Sequence, residues 1–379
     1  MIAPSTVADV ALIQARTLRV LVAGQIAGSA ALAAAVTVGA FVIQDILGQD
    51  TPWGGLASAT IIRHHLASFL IGADPLDAAV LHERMFHHAV KIGPDGALAG
   101  ALAAIDIALW DLKGKILGRP VYKLLGGAWR TTLPHYASIG GIRPRSVDEV
   151  LRLVEQRLEH RPALIKIRAD AYRTERDADV EGDLAKARAV RKLVGDAFPL
   201  AFDANNSYSV GTSIRVGREL EQLGYRWFEE PVQHYHVQAM GEVARRLDIA
   251  VSAGEQTYTL QGLAELIASG VRIIQPDIVK MGGFTGMLQA QALAHAHGCD
   301  VVPHMTQPSI GNTANLHFVA SQLHGWAPAE LDDPSELQLS LFTRIPRRTD
   351  GLYHLGDSPG LGLELDEQAL LPLRRELPA

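Results

Sequence analysis

Leu200-Ala201-Phe202-Asp203-Ala204-Asn205 is a short apolar run that ends on an acid, and the pattern returns twice within 55 residues. It recurs in Trp227-Phe228-Glu229-Glu230-Pro231 and in Val251-Ser252-Ala253-Gly254-Glu255. From Asp203 to Glu229 is 26 residues, and from Glu229 to Glu255 is 26 again. That is about the length of one strand, one helix and their two loops. Amphipathic stretches fill the gaps, at Ser213–Leu223 and Val237–Leu247. Alternating strand and helix implies a parallel sheet with helices packed on it.

The alternation extends in both directions. Leu164–Ile167, Ile249–Ser252, Ile273–Gln275 and Val301–Pro303 read as further strands. Asp183–Val194, Leu260–Ser269 and Gly286–His297 read as helices. At least six such repeats before residue 304 favour a closed barrel over an open sheet. The first 127 residues differ. Val7–Val22 and Val36–Ile46 carry β-branched runs, and Ile61–Gly118 turns helical. Ala97–Leu117 is the clearest helix, with Leu98, Leu102, Ile105, Leu109 and Leu112 on one face and Gly118-Arg119-Pro120 ending it. Residues 1–127 are therefore read as an α+β unit, 128–341 as the barrel, and 342–379 as a tail. In that tail Ser358-Pro359-Gly360-Leu361-Gly362 turns into a strand that packs back on the N-terminal unit.

Bulk properties exclude several functions. Of the 379 residues 48% are hydrophobic and 20% charged, which suits a globular protein of two domains or a barrel with an appendage. A net charge of −6 gives no electrostatic case for binding nucleic acid or an anionic membrane. Cys299 is the single cysteine, so no intramolecular disulfide forms, which fits a cytoplasmic protein. It precedes an apolar strand rather than an electropositive niche, so it is not read as a reactive thiol. Val20–Ile43 holds no charge and follows Arg16 and Arg19. Its length would permit a membrane span, but Gly24, Gly28, Gly39 and many alanines make a buried strand with an apolar loop the better reading.

Polar residues at the C-terminal ends of barrel strands carry chemistry. Reading each run outward gives Lys166 and Arg168, Asp203 and Asn205, Glu229 and Glu230, Glu255, Asp277, and His304. An isolated acid would read as a helix cap or a solvated side chain. Asp203, Glu229 and Glu255 at constant spacing sit instead on adjacent strands at one end. Three carboxylates cannot all ionise in a dry pocket without a cation between them. Mg²⁺ is the natural candidate, because it accepts carboxylate oxygens, retained waters and substrate oxygens together. Asp277 beside His304 orients the imidazole and raises its basicity, which suits a general base or acid.

These residues resemble the enolase superfamily, in its mandelate racemase subgroup. The likeness runs through Ala104–Lys115, Leu124–Gly127, Glu229-Glu230-Pro231, Gly254-Glu255, Gln275–Gly283, Pro303-His304 and Pro359–Gly362. It implies a modified (β/α)₇β TIM barrel under an α+β capping domain formed by the N-terminal region and the tail. It implies that the three acids hold Mg²⁺, and that a proton is taken from the carbon beside a substrate carboxylate to leave an enediolate. Use of a Lys or His base with magnesium is the handed-down pattern of this superfamily. It also implies a lid within about residues 22–39, here with only Gln25, Ser29 and Thr37 as polar side chains.

The chain departs from the pattern at Lys166-Ile167-Arg168, where many subgroup members carry Lys-x-Lys. Residues two apart on a strand face one side, so both reach the pocket. Arg168 does not deprotonate, and suits clamping a carboxylate. Lys166 serves as a proton carrier only if Arg168 and the metal depress its pKa. His304 is then the principal base, and a one-sided β-elimination of water from a sugar acid or other hydroxy acid is expected. The alternative on this scaffold is a racemase, an epimerase or a lactone cycloisomerase. Asn205 also departs from the aldonate dehydratases that place a histidine there. Glu330 falls where the subgroup places a glutamate against the substrate. Asn205, His234 and Tyr136 are expected to contact substrate, with Ser138 nearby. His64, His65, His87 and His88 are expected to play no catalytic part. The expected partners are a small carboxylate and further copies of the chain in a homo-oligomer, with no nucleic acid and no membrane.

Overall fold

The computed structural model describes residues 58, 60–140, 144–170, 175–305, 310–322, 325–326, 328–330 and 339–370. The expected strands Val7–Val22 and Val36–Ile46 and the lid at 22–39 lie outside the described residues, as does the uncharged Val20–Ile43 run. No helix among the described residues is long and apolar enough to cross a membrane.

The capping region contributes α1 (Ala78–Ala89), α2 (Ala97–Leu117) and a single turn, α3 (Val121–Leu124). Helix α2 is bounded as its pattern predicts. It ends on Gly118 in the left-handed conformation, whose N–H returns to the carbonyls of Gly114 and Lys115. It buries more than one face, which its many alanines and two glycines permit. Gly114 lies against the Gly360 backbone so closely that a Cβ would sit 2.6 Å from Gly360 Cα. Asp111 Oδ1 accepts the Leu361 N–H at 2.7 Å, and the Val121 N–H donates to the Gly360 carbonyl at 2.9 Å. The 359–362 turn therefore packs on the N-terminal region, as its sequence suggests.

Among the described residues eight parallel strands follow in the order β8-β1-β2-β3-β4-β5-β6-β7. They are β1 (Thr132–Ile139), β2 (Leu164–Arg168), β3 (Leu200–Asp203), β4 (Trp227–Glu229), β5 (Ala250–Ala253), β6 (Ile273–Ile274), β7 (Asp300–Val301) and β8 (Ala329–Glu330). Seven helices alternate with them: α4 (Val147–Leu158), α5 (Val180–Val194), α6 (Val210–Gln222), α7 (Val237–Arg246), α8 (Leu260–Ser269), α9 (Gly283–Ala296) and α10 (Ile310–Ser321). Helix α4 begins at a capping box between Ser146 and Glu149. In the tail β9 (Phe342–Arg344) pairs with β12 (Glu364–Leu365), and β10 (Arg348–Thr349) and β11 (Leu352–His354) extend the sheet from β1.

Alternation along each strand divides its residues between two cores. Ile165, Ile167, Phe202, Phe228 and Val251 face the helices in the larger cluster. Leu164, Ala201, Trp227, Ile273 and Val302 form a separate cluster inside the barrel. The next inward positions along the strands are Lys166, Asp203, Glu229 and His304. The barrel interior is thus apolar at its base and charged at its mouth.

Candidate active site

Strand register lines up the charged residues. Arg168 is the partner of Asp203, Asp203 of Glu229, and Asp277 forms a parallel bridge with His304. The ladder read from sequence spacing is therefore a physical row around the mouth.

Cations reach across to the acids of the row. Lys166 Nζ lies 2.6 Å from Glu229 Oε1 and 2.9 Å from Glu330 Oε1. Arg168 Nε lies 3.1 Å from Asp203 Oδ2. His304 Nδ1 meets Asp277 Oδ2 at 2.9 Å and its Nε2 meets Glu255 Oε2 at 3.0 Å. Glu229 Oε2 accepts from Gln275 Nε2 at 2.7 Å and Trp227 Nε1 at 3.1 Å. Glu330 Oε2 accepts the Met305 N–H at 3.1 Å. Tyr136 is wholly buried beneath Lys166, its ring 5.6 Å from Nζ and edge-on to Trp227. Ser138 is the β1 register partner of Lys166.

These contacts fix the electrostatics. Burial opposes the Lys166 charge, but Glu229 and Glu330 hold its pKa well above the lysine range. Two carboxylates touch the ammonium and outweigh Arg168, so Arg168 alone does not meet the condition under which Lys166 would carry a proton. Burial likewise opposes the His304 charge, yet Glu255, Glu330 and the bond to Asp277 hold it well above the histidine range. Burial, together with Asp203, Glu330 and Glu255, pushes Glu229 up to about 7 against the pull of Lys166. Burial and the charges of Glu255, Asp203 and Glu229 push Glu230 up to about 8.

Asp203, Glu229 and Glu255 do not enclose a point by themselves. Among the described residues no three acid, His or Cys side chains stand close enough to cage an ion, because Lys166, Arg168 and His304 interleave with them. The charge balance still favours a cation. Asp203, Glu229, Glu230, Asp277 and Glu330 are buried and Glu255 nearly so, while the permanent cations among them are Lys166, Arg168 and Lys280. Six carboxylates crowd against Lys166, Arg168, Lys280 and a protonated His304, and Glu229 and Glu230 are pushed toward the protonated form; a divalent ion with oxygen ligands would let them ionise.

Asn205 sits at φ +49° behind Asp203, its N–H donating to Asp203 Oδ1 at 2.6 Å. His234 is half-buried on the loop after β4, its N–H held by Asn206 Oδ1 at 2.7 Å. His64, His65, His87 and His88 are exposed on the capping helices, and none is among the contacts of this row. Residue-by-residue reading missed Asn206, Gln256, Gln275 and Lys280. Asn206 and Gln256 stand within three positions of ladder acids, a signal that the spacing did carry. Lys280, its Nζ 3.7 Å from Asp277 Oδ2, and Gln275 also stand within three positions of Asp277, inside the Gln275–Gly283 stretch.

Known proteins with this arrangement are recognisable. Residues 24–126 match the mandelate racemase/muconate lactonizing enzyme N-terminal domain, and residues 148–369 match the enolase C-terminal domain-like family. A mandelate racemase/muconate lactonizing protein from Paracoccus denitrificans, crystallised with magnesium, is 60% identical. It superposes with a TM-score of 0.81 over 84% of this chain and 86% of its own. L-talarate/galactarate dehydratase of Salmonella typhimurium is 32% identical over 80% of this chain and 73% of its own length. D-galactarolactone cycloisomerase of Agrobacterium fabrum is 31% identical over 84% and 85%.

Proposed function

The chain belongs to the mandelate racemase/muconate lactonizing enzyme family of the enolase superfamily, and on that premise we propose that it is a Mg²⁺-dependent hydro-lyase that dehydrates a sugar acid or related hydroxy acid. Asp203, Glu229 and Glu255 would hold the metal. Bound Mg²⁺ supplies the positive charge that offsets the substrate carboxylate and the charge developing beside it.

The observation that carries the reading is the asymmetry of the proton carriers. His304 is oriented by Asp277 through Nδ1, and its Nε2 pairs with Glu255 Oε2 at 3.0 Å; a cation held by Glu255 would compete for that carboxylate and leave Nε2 as the atom that exchanges a proton. On the other side Lys166 is locked between two carboxylates and Arg168 against a third. Arg168 does not deprotonate, and Glu330, which is not one of the proposed metal ligands, would still hold Lys166 as an ammonium. Racemisation needs a competent carrier on each face, whereas elimination needs one. His304 Nε2 takes the α-proton, the β-carbon–oxygen bond breaks with the electron pair leaving on oxygen, and the imidazolium returns the proton to that hydroxyl as water departs. The enol product tautomerises to a 2-keto acid. Arg168 clamps, and Lys166 with Glu330 steadies, the negative charge opposite. Asn205 and His234 are read as substrate contacts from the loops after β3 and β4, and Tyr136 as support from below through Lys166.

The test is a panel of mono- and diacid sugars with Mg²⁺, assayed for 2-keto acids in water and for α-deuterium in D₂O. Keto-acid formation from at least one acid, lost in His304→Asn, is expected. Deuterium exchange with inversion and no keto product on any acid would make the enzyme a racemase or epimerase. A lactone ring opened without water loss would make it a cycloisomerase, the activity named for the Agrobacterium relative.

A further inference from the structure

Three side chains outside the ladder form a ring beside it. Asn206 lies three residues after Asp203, and Glu230 and Gln256 directly follow Glu229 and Glu255. Glu230 is only 1% exposed, and its Oε2 accepts from Asn206 Nδ2 at 2.5 Å and from Gln256 Nε2 at 2.9 Å. Its Oε1 makes no hydrogen bond among the described residues, so loss of either donor leaves the carboxylate with a single bond. Gln256 Nε2 also lies 3.5 Å from Glu255 Oε1, which joins the ring to the ladder. The Asn206 amide has one available direction, because its Oδ1 accepts the His234 N–H at 2.7 Å. Backbone bonds run alongside: Ala204 N–H donates to the Glu229 carbonyl, Asn206 N–H to the Glu230 carbonyl, and Glu230 N–H to the Ser252 carbonyl, each at 2.9 Å. Asn205, Asn206 and Glu230 all hold left-handed backbone, at φ +49°, +67° and +36°. Non-glycine residues persist there only where the surroundings over-determine them, and such strain gathers at functional sites.

We propose that Glu230, Asn206 and Gln256 are positioning residues, a hydrogen-bonded ring that fixes the spacing of Asp203, Glu229 and Glu255 and so sets their affinity for a divalent cation. The inference rests on the reading of those three acids as Mg²⁺ ligands. Partners that orient ligands without touching the metal typically change its affinity about 10- to 100-fold.

The experiment is calorimetric titration of Mg²⁺ alone into the chelator-stripped full chain, without substrate. Asn206→Ala and Gln256→Ala are each expected to weaken binding about tenfold. Gln256 is half-buried, so its truncation leaves the fold intact even where Asn206→Ala does not. Glu230→Gln keeps an amide oxygen that can accept both bonds, and is expected to bind as wild type does. Wild-type affinity in Gln256→Ala, with or without a lower melting temperature, would overturn the ring. So would a loss in Glu230→Gln as large as that of the alanine variants, because charge rather than geometry would then set affinity. Glu229→Gln separates the two levels. If it binds Mg²⁺ normally, the ligand reading falls and takes the ring with it. If it abolishes binding while Gln256→Ala does not weaken it, the ring alone falls.

Discussion

Lys166 shows how much one side chain holds in place. Its ammonium joins Glu229 on β4 to Glu330 on β8 across the barrel mouth, both carboxylates being buried. Deleting one partner of a buried pair costs about 3–5 kcal/mol, because the remaining charge keeps its desolvation penalty. Lys166→Met is therefore expected to lower the melting temperature by several degrees, and added Mg²⁺ is expected to recover more of the loss than it adds to wild type. Thermal denaturation with and without Mg²⁺ checks both, and an unchanged melting temperature would mean that the pair gives no net stability. The sequence makes Lys166 and Arg168 legible as same-face residues at the pocket. It does not make their partners legible. Spacing tells which strand a side chain tops, not what its far atoms touch, so Arg168 is visible beside Lys166 in the sequence while Glu229 and Glu330 as its contacts are not. Gly140 adds a second case: a Cβ there would stand 2.5 Å from Arg168 Cβ, at φ +148°. Gly140→Ala is expected to displace Arg168 from Asp203 and to cut kcat more than it raises KM, measured by steady-state kinetics on any substrate the panel yields.

At the scale of elements, local pattern located most barrel strands and helices within a few residues, because each unit needs one buried face and one polar end. The misses have long-range causes. Helix α9 reads from Gly286, yet it starts at Gly283. Its cap comes from the other region: Asp106 on α2 accepts the Thr285 N–H at 3.0 Å and the Thr285 hydroxyl at 2.5 Å. No local signal announces a cap borrowed from 179 residues away. His317 on α10 is a similar tie, and it titrates. Its Nδ1 accepts the Tyr122 N–H at 3.1 Å, so Nε2–H donates to the Leu361 carbonyl at 3.1 Å. The bond from Tyr122 needs the neutral ring, whereas the bond to Leu361 survives protonation, and burial lowers the pKa from 6.5 to about 4 against that bond to Leu361. A folded-state pKa below the unfolded one gives stability that is fully present above pH 6.5 and lost as pH falls toward 4. The loss is on the order of 3 kcal/mol. Across that window the melting temperature of wild type should drop relative to that of His317→Gln by the His317 contribution. Parallel curves for the two proteins would remove His317 as the cause.

For the whole molecule, the apolar base of the barrel and its charged mouth pull in opposite directions. Trp227, Tyr136 and the cluster around them are buried inside the strands, and truncating one such aromatic typically costs about 3–5 kcal/mol. Above them the carboxylates crowd. Burial and neighbouring acids raise Glu229 from 4.5 to about 7 and Glu230 from 4.5 to about 8. An acid whose folded pKa is raised stabilises the fold fully below its unfolded pKa and loses that contribution as pH rises through the folded value. These two acids should therefore withdraw stability from the metal-free protein between pH 4.5 and 8, against the opposite contribution of His317 below pH 6.5. A divalent cation among the ionised acids opposes this loss, and it binds the folded state in preference to the unfolded chain. The Mg²⁺-induced rise in melting temperature should then widen with pH from 5 to 8, and chelation should restore the metal-free curve. Glu229→Gln removes one of the raised acids and one of the proposed ligands, so its curves with and without Mg²⁺ should nearly coincide. A Mg²⁺ effect independent of pH would show that the crowded mouth is balanced by its own Lys166, Arg168 and Lys280, and that the cation is not what the fold leaves room for.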